Sequence, residues 1–200
     1  ASGDAIVKLG RSIPQPDLVW DYLVGLTGAF LLGGILLLFP VSQGDRRMLL
    51  LGWLAKMVMA LGLMLIYEWY YELDSFDYFF GAINYGGSVT EGWVMGQGTP
   101  NIMRLYAIHA LVLPHSFHLM KVNTAFVGLG AIYLCYRAAV NFLGREDRRV
   151  FYAMLLCPSS LLWSSTLGKD PLVLFGISVY IFGVARWYRH GGILSIAIMG

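Results

Sequence analysis

Apolar positions in this chain follow neither the 3.6-residue period of a half-buried helix nor the alternation of a strand; they run together in long blocks. No charged side chain interrupts Tyr22 to Gly44, Val150 to Gly168 or Pro171 to Ala185. A helix of roughly 20 apolar residues crosses the ~30 Å hydrocarbon layer of a bilayer, so these blocks read as membrane spans. The pattern predicts spans over Leu18–Phe39, Met48–Tyr67, Val122–Val140, Val150–Leu167 and Pro171–Trp187, with a sixth apolar run opening at Ile193. The expected fold class is all-α, a polytopic transmembrane helical bundle of about five spans plus the start of a sixth. It divides into an N-terminal segment (1–17), two spans (18–67), a large loop with interfacial helices (68–121) and the remaining spans (122–200).

Composition agrees with this picture. Of the 200 residues, 58% are hydrophobic and 13% charged, against roughly 25% charged in a soluble domain. The net charge of +2 gives no basis for nucleic-acid binding. Cys135 and Cys157 both fall inside expected spans, where thiols behave as small hydrophobes and form neither a disulfide framework nor a zinc site. The chain opens on Ala1 without a signal-peptide pattern, and its last apolar run stops at Gly200. It is therefore expected to be the N-terminal portion of a longer protein.

Basic residues orient such a bundle. Arg46, Arg47, Arg137, Arg145, Arg148, Arg149, Arg186 and Arg189 crowd three short connections, whereas Lys8, Arg11, Arg104, Lys121 and Lys169 are spread over longer segments on the other side. The arginine side is expected to be cytoplasmic, with the N-terminus and the 68–121 loop outside, as for a multi-pass protein of a bacterial inner membrane. Asp4, Asp17, Asp21, Glu68, Glu72, Asp74, Asp77, Glu91 and Asp170 then gather on the outer side.

The outer loop is too long to be a plain connection. Aromatics fill its first half, Gly86, Gly87, Gly92, Gly96 and Gly98 loosen its middle into a candidate lid, and Asn101–Phe117 turns apolar again as a short interfacial helix ended near Pro114. Within it, Tyr70 to Ala82 carries Asp74 and Asp77 among aromatic side chains at the membrane boundary. Such a setting raises a carboxylate's pKa and suits it to act as a base, although a solvated loop beside a tyrosine belt accounts for the same residues. The second outer turn, Trp163 to Pro171, carries Lys169 and Asp170. Helix capping by Asp170, with Pro171 in the first helical position, explains that pair without chemistry.

Asp74-x-x-x-Tyr78-x-x-x-Ala82 after a span resembles the first outer loop of GT-C-type membrane glycosyltransferases, the group of the protein O-mannosyltransferases and lipid A aminoarabinose transferases. Pro158, the serines after it, Asp170, Phe175 and Arg186 are similar to their next outer loop and helix. Ser75 stands where the family often has Glu, and the span Leu18–Phe39 precedes the point where the family begins. The resemblance implies transfer of a sugar from a polyprenyl-phosphate donor. Asp74 would be the base, Asp77 or Asp170 would orient the acceptor or hold a divalent cation, and Tyr78 would line the substrate site. Arg104, Lys169 and His109 would stabilise the departing phosphate. The alternative is a non-catalytic subunit packed against partner membrane proteins.

Other ionisable residues keep two readings. Lys56 lies near the middle of the second span, as a functional group or as a side chain reaching back to the interface. His109, His115 and His118 could suggest a metal or haem, but the i,i+3 pair His115–His118 lacks a recognisable third ligand, and interfacial histidines are commoner than ligands.

Overall fold

The computed structural model describes residues 18–71, 74–85, 98–192 and 197–199. Among these residues there are helices and no strands. Helix α1 covers Leu18–Leu38, α2 Gln43–Tyr70, α3 Asp74–Ile83, α4 Gly98–Val112, α5 Phe117–Leu143, α6 Arg148–Leu156, α7 Pro158–Trp163 and α8 Lys169–His190. Residues 1–17, most of the glycine-rich stretch and the start of the run at Ile193 lie outside the described residues.

Four of these helices, α1, α2, α5 and α8, are long and apolar enough to cross a membrane. Their outward faces are apolar, with Phe30 73% and Leu54 61% exposed, while Lys56 and Lys121 are fully buried. That is the reverse of a soluble protein, and it suits a bundle whose solvent is lipid.

Trp53 Nε1 donates to the Ala29 carbonyl at 3.0 Å and Tyr22 Oη to the Leu61 carbonyl at 3.0 Å, so α1 and α2 run antiparallel. Helix α5 packs on both. It starts at a Ser116 cap, whose hydroxyl accepts from the Leu119 N–H, and ends at Gly144 in the left-handed conformation. Arg189 reaches the Val140 carbonyl at 3.3 Å, while Leu167 and Leu172 pack in the cluster that holds Phe117. Both ends of α8 therefore lie beside the corresponding ends of α5, and the two helices run in the same direction.

The intervening chain must return along the bundle, and here the expected uninterrupted span Val150–Leu167 is corrected. The return is made by α6 and α7, separated at Cys157, followed by the buried turn Ser164–Gly168. Pro158 is the cause: it has no N–H to donate and its ring crowds the preceding turn, so a helix through it breaks. The expected count of five continuous spans becomes four long helices and one broken passage. Helix α1 matches its expected bounds to within one residue, whereas α2, α5 and α8 each start earlier and end later than the charge pattern suggests, with α2 running to Tyr70 and α5 starting at Phe117.

Helix α2 contains one wide, π-type turn over Met59–Leu63. Such a turn adds one residue to the helix. Lys56 and Glu68 would point about 120° apart on a regular helix at 100° per residue, and the added residue brings them to about 20°. Both side chains are buried in the bundle.

Candidate functional site

Helix α2 ends at Tyr70, and after a short link α3 begins at Asp74. Aromatic side chains of α3 hold it down, Phe76 tilted against Phe117 at the start of α5 and Phe79 edge-on to the same ring, with centroids 5.3 and 5.7 Å apart. Asp74 is thereby left exposed at the mouth of a cavity of about 200 Å³. Tyr67, Ser75 and Tyr78 line one side of this cavity; Trp163, Lys169 and Asp170 line the other.

The opposite wall depends on the Ser164–Gly168 turn. Tyr106 Oη donates to the Gly168 carbonyl at 2.7 Å, and Thr124 Oγ1 stands 3.4 Å from the same phenol. Burial pushes the Tyr106 phenol up to about 12, so it remains a proton donor at any physiological pH. Helix α8 starts at Lys169 with Gly168 as its cap residue, so the expected capping role of Asp170 does not hold. Asp170 instead sits in the first helical turn, where negative charge is favoured and its carboxylate is left exposed to the cavity.

Below this turn lies a contact absent from the sequence-based reading. Lys56 Nζ donates to the Ser164 carbonyl at 2.8 Å, to Ser164 Oγ at 2.6 Å and to Ser165 Oγ at 3.3 Å. Lys56 thus does not reach back to the interface. Ser164 is the C-terminal cap residue of α7, so the ammonium sits where the helix presents unpaired carbonyls and partial negative charge. Gly128 on α5 permits the close approach, because a Cβ there would collide with the Ser164 carbonyl.

A second buried cluster joins α1, α2 and α5. Lys121 Nζ meets both Glu68 oxygens at 2.8 and 2.9 Å. His118 Nε2 stands 3.7 Å from Asp21 Oδ2, longer than a hydrogen bond. The Asp21 carboxylate is fully buried and neither of its oxygens has a completed hydrogen bond, although the Phe117 and His118 main chain and the Ser116 side chain approach it. Gly25 lets α1 come this near, since a Cβ at that position would lie 2.5 Å from His118 Cβ. An apolar cavity of about 400 Å³, lined by residues including Tyr22, Glu68, Trp69 and His118, adjoins the cluster.

Of the sequence-derived site residues, Asp74, Tyr78, Lys169 and Asp170 come together on one cavity. Asp77 is exposed on α3 and does not line it. Arg104, on α4, donates to Tyr85 Oη at 2.6 Å. His109 lies against Asn123, with Nδ2 2.6 Å from Nε2, and burial pulls its imidazole down to about 4. A neutral imidazole brings no positive charge to a phosphate. His115 Nε2 lies 3.0 Å from the Ala110 carbonyl. Among the described residues, no three His, Cys, Asp or Glu side chains form a metal-holding group. Cys135 and Cys157 are free thiols.

At the other end of the bundle, Asp45 accepts from Tyr133 Oη at 2.9 Å and from Arg137 at 3.3 Å, and Arg137 also reaches Glu146 at 3.2 Å. The two ends are therefore chemically distinct, one carrying the Asp74 cavity and the other the arginines.

Helices long and apolar enough to span, with their charges turned inward, are those of a multi-pass membrane protein. No protein-family model matches the chain, and no curated protein or solved structure matches it significantly.

Proposed function

We propose that the protein is a GT-C-type glycosyltransferase that moves a sugar from a polyprenyl-phosphate donor to an acceptor hydroxyl at the outer face of a bacterial inner membrane. The observation that supports this reading is that Asp74 and the Lys169–Asp170 turn, distant in sequence, line one cavity at the end of the bundle opposite the arginines. By the positive-inside tendency the arginine end faces the cytoplasm, and the cavity then opens on the outer side.

In the reaction the acceptor hydroxyl attacks the anomeric carbon. Its proton passes to the Asp74 carboxylate, the bond from the anomeric carbon to the phosphate oxygen breaks, and the phosphate leaves with the electron pair. Lys169 meets the growing negative charge on that phosphate. Asp170 holds the acceptor in line, and Tyr106 fixes the turn that carries both residues. A carboxylate beside a phosphate also suits Mg²⁺, which would add charge neutralisation at the leaving group, with Asp170 as the protein ligand.

Native mass spectrometry of the purified protein with polyprenyl-phosphate mannose tests the reading. Saturable binding that weakens in Lys169→Ala is the expected result. Binding no tighter than that of phosphatidylglycerol, and unchanged in Lys169→Ala, would overturn it.

A further inference from the structure

The arginine end of the bundle carries more positive charge than its own carboxylates neutralise. Its three connections hold eight arginines but only three carboxylates, Asp45, Glu146 and Asp147. All three are engaged. Asp45 and Glu146 both pair with Arg137, at 3.3 and 3.2 Å. Asp147 turns back on its own helix, accepting from the Arg149 N–H at 3.0 Å as the cap of α6. Among the described residues, Arg47, Arg148 and Arg149 are exposed and form no ion pair.

Two of these arginines come from different helices and meet at one place. A Cβ on Gly44 would collide with Arg148 Nη2, so the Arg148 guanidinium, reaching over from α6, lies against bare backbone in the first turn of α2. Arg47 follows Gly44 by three residues and shares its helix face. Arg46 is held by the link between α1 and α2, its Nη2 donating to the Phe39 carbonyl at 3.1 Å. Neighbouring guanidiniums repel, and with no carboxylate paired to either, the arrangement favours an anion between Arg47 and Arg148. Both helices also begin here, and the positive ends of their dipoles add to the same field. A phosphate suits such a pair, because each guanidinium presents parallel N–H groups to its oxygens.

We propose that Arg47 and Arg148 seat the phosphate of an anionic phospholipid, drawn from the leaflet at the arginine end. The neighbouring surface selects a lipid over a soluble anion. Leu38 is 84% exposed where α1 ends, and Phe142 and Leu143 are exposed where α5 ends. Apolar side chains bared at the ends of spanning helices are covered by acyl chains, which puts the arginines at headgroup depth. The lipid also has a mechanical role. Pro158 separates α6 from α7, and the side chains that bury α6 are Phe151 and Leu155. A phosphate bridging Arg148 to Arg47 ties the start of this broken passage to the long helix α2. The site lies at the opposite end from Asp74 and does not depend on the transferase reading.

Native mass spectrometry of the detergent-solubilised protein, titrated with phosphatidylglycerol or phosphatidylcholine, tests the site. A single phosphatidylglycerol should bind saturably and several-fold more tightly than phosphatidylcholine. Arg148→Gln and Arg47→Gln, both surface changes, should each abolish that preference, and Lys169→Ala should leave it intact. Gly44→Ala keeps every charge but displaces the Arg148 guanidinium, so it should also weaken binding several-fold. Equal loss in Arg186→Gln, on α8, would mean that bulk positive charge attracts the lipid, and would overturn the site. Full binding by both Gly44→Ala and Arg148→Gln would overturn it too. Displacement of the lipid by millimolar inorganic phosphate would assign the arginines to a soluble anion and overturn the lipid as their ligand.

Discussion

Lys56 Nζ lies 2.8 Å from the Ser164 carbonyl and ties the middle of one long helix to the end of a six-residue one. The arrangement does not obviously favour stability. Desolvating an ammonium costs several kcal/mol, and a cation at a helix C-terminus returns about 0.3–2 kcal/mol. What the contact does is fix the Ser164–Gly168 turn, and through it Lys169 and Asp170.

Lys56→Met removes the ammonium that donates to the Ser164 carbonyl, and an unsatisfied buried acceptor costs about 1–3 kcal/mol. The loosening should be local. Hydrogen exchange followed by mass spectrometry should show faster exchange over residues 158–170 and little change in α1. Uniform destabilisation of every helix would contradict the local role.

The Glu68–Lys121 pair gives a different expectation. Removing Lys121 alone leaves a buried carboxylate without its cation, at a cost of about 3–5 kcal/mol. Lys121→Met should therefore unfold far more readily in a thermal assay, and the double variant Lys121→Met with Glu68→Leu should recover most of the loss. If the double variant lost the sum of the two single effects, the pair would not be coupled.

Deleting Gly62 removes the residue that the wide turn in α2 adds, so a regular helix then carries Lys56 and Glu68 one position closer in sequence and still about 20° apart. Both buried contacts should survive the deletion, and thermal unfolding should stay close to that of the unaltered protein. Gly62→Ala should be equally mild, since no atom lies within 4 Å of a Cβ built there. A deletion variant that no longer folds would show that the turn does more than set the register.

His109 is held neutral by burial, with its value lowered from 6.5 to about 4. The unfolded chain therefore binds more protons between those limits, and the stability that His109 contributes is present above about 6.5 and falls as pH drops toward 4. His109→Gln should flatten that part of the stability profile. Nuclear magnetic resonance of the imidazole in detergent should show no titration between pH 6 and 8; a titration near 6.5 would contradict its burial.

The long helices were legible because lipid-facing positions need no polar alternation, and unbroken apolar blocks reveal them directly. Charge was used to end the blocks, and this is why Glu68 and Lys121 were read as loop residues outside the spans. They lie inside helices, and their pairing depends on which helices become neighbours, information that a linear pattern does not carry. Pro158 is the residue that breaks the passage, but the charge-free stretch around it reads as one span. The wide turn in α2 has no sequence signature beyond an unremarkable glycine. Asp74, Tyr78, Lys169 and Asp170 were legible from local spacing and resemblance, whereas Tyr106 and Lys56, which hold the turn in place, act through contacts between distant segments.

The most direct test of the account is turnover in proteoliposomes loaded with polyprenyl-phosphate mannose and a hydroxyl-bearing acceptor mixture, with released polyprenyl phosphate as the readout. Loss of a general base costs about 10²–10⁴-fold. The account predicts release by the unaltered protein and a fall of that order in Asp74→Asn with donor binding retained. Release at equal rates from Asp74→Asn and the unaltered protein would contradict it.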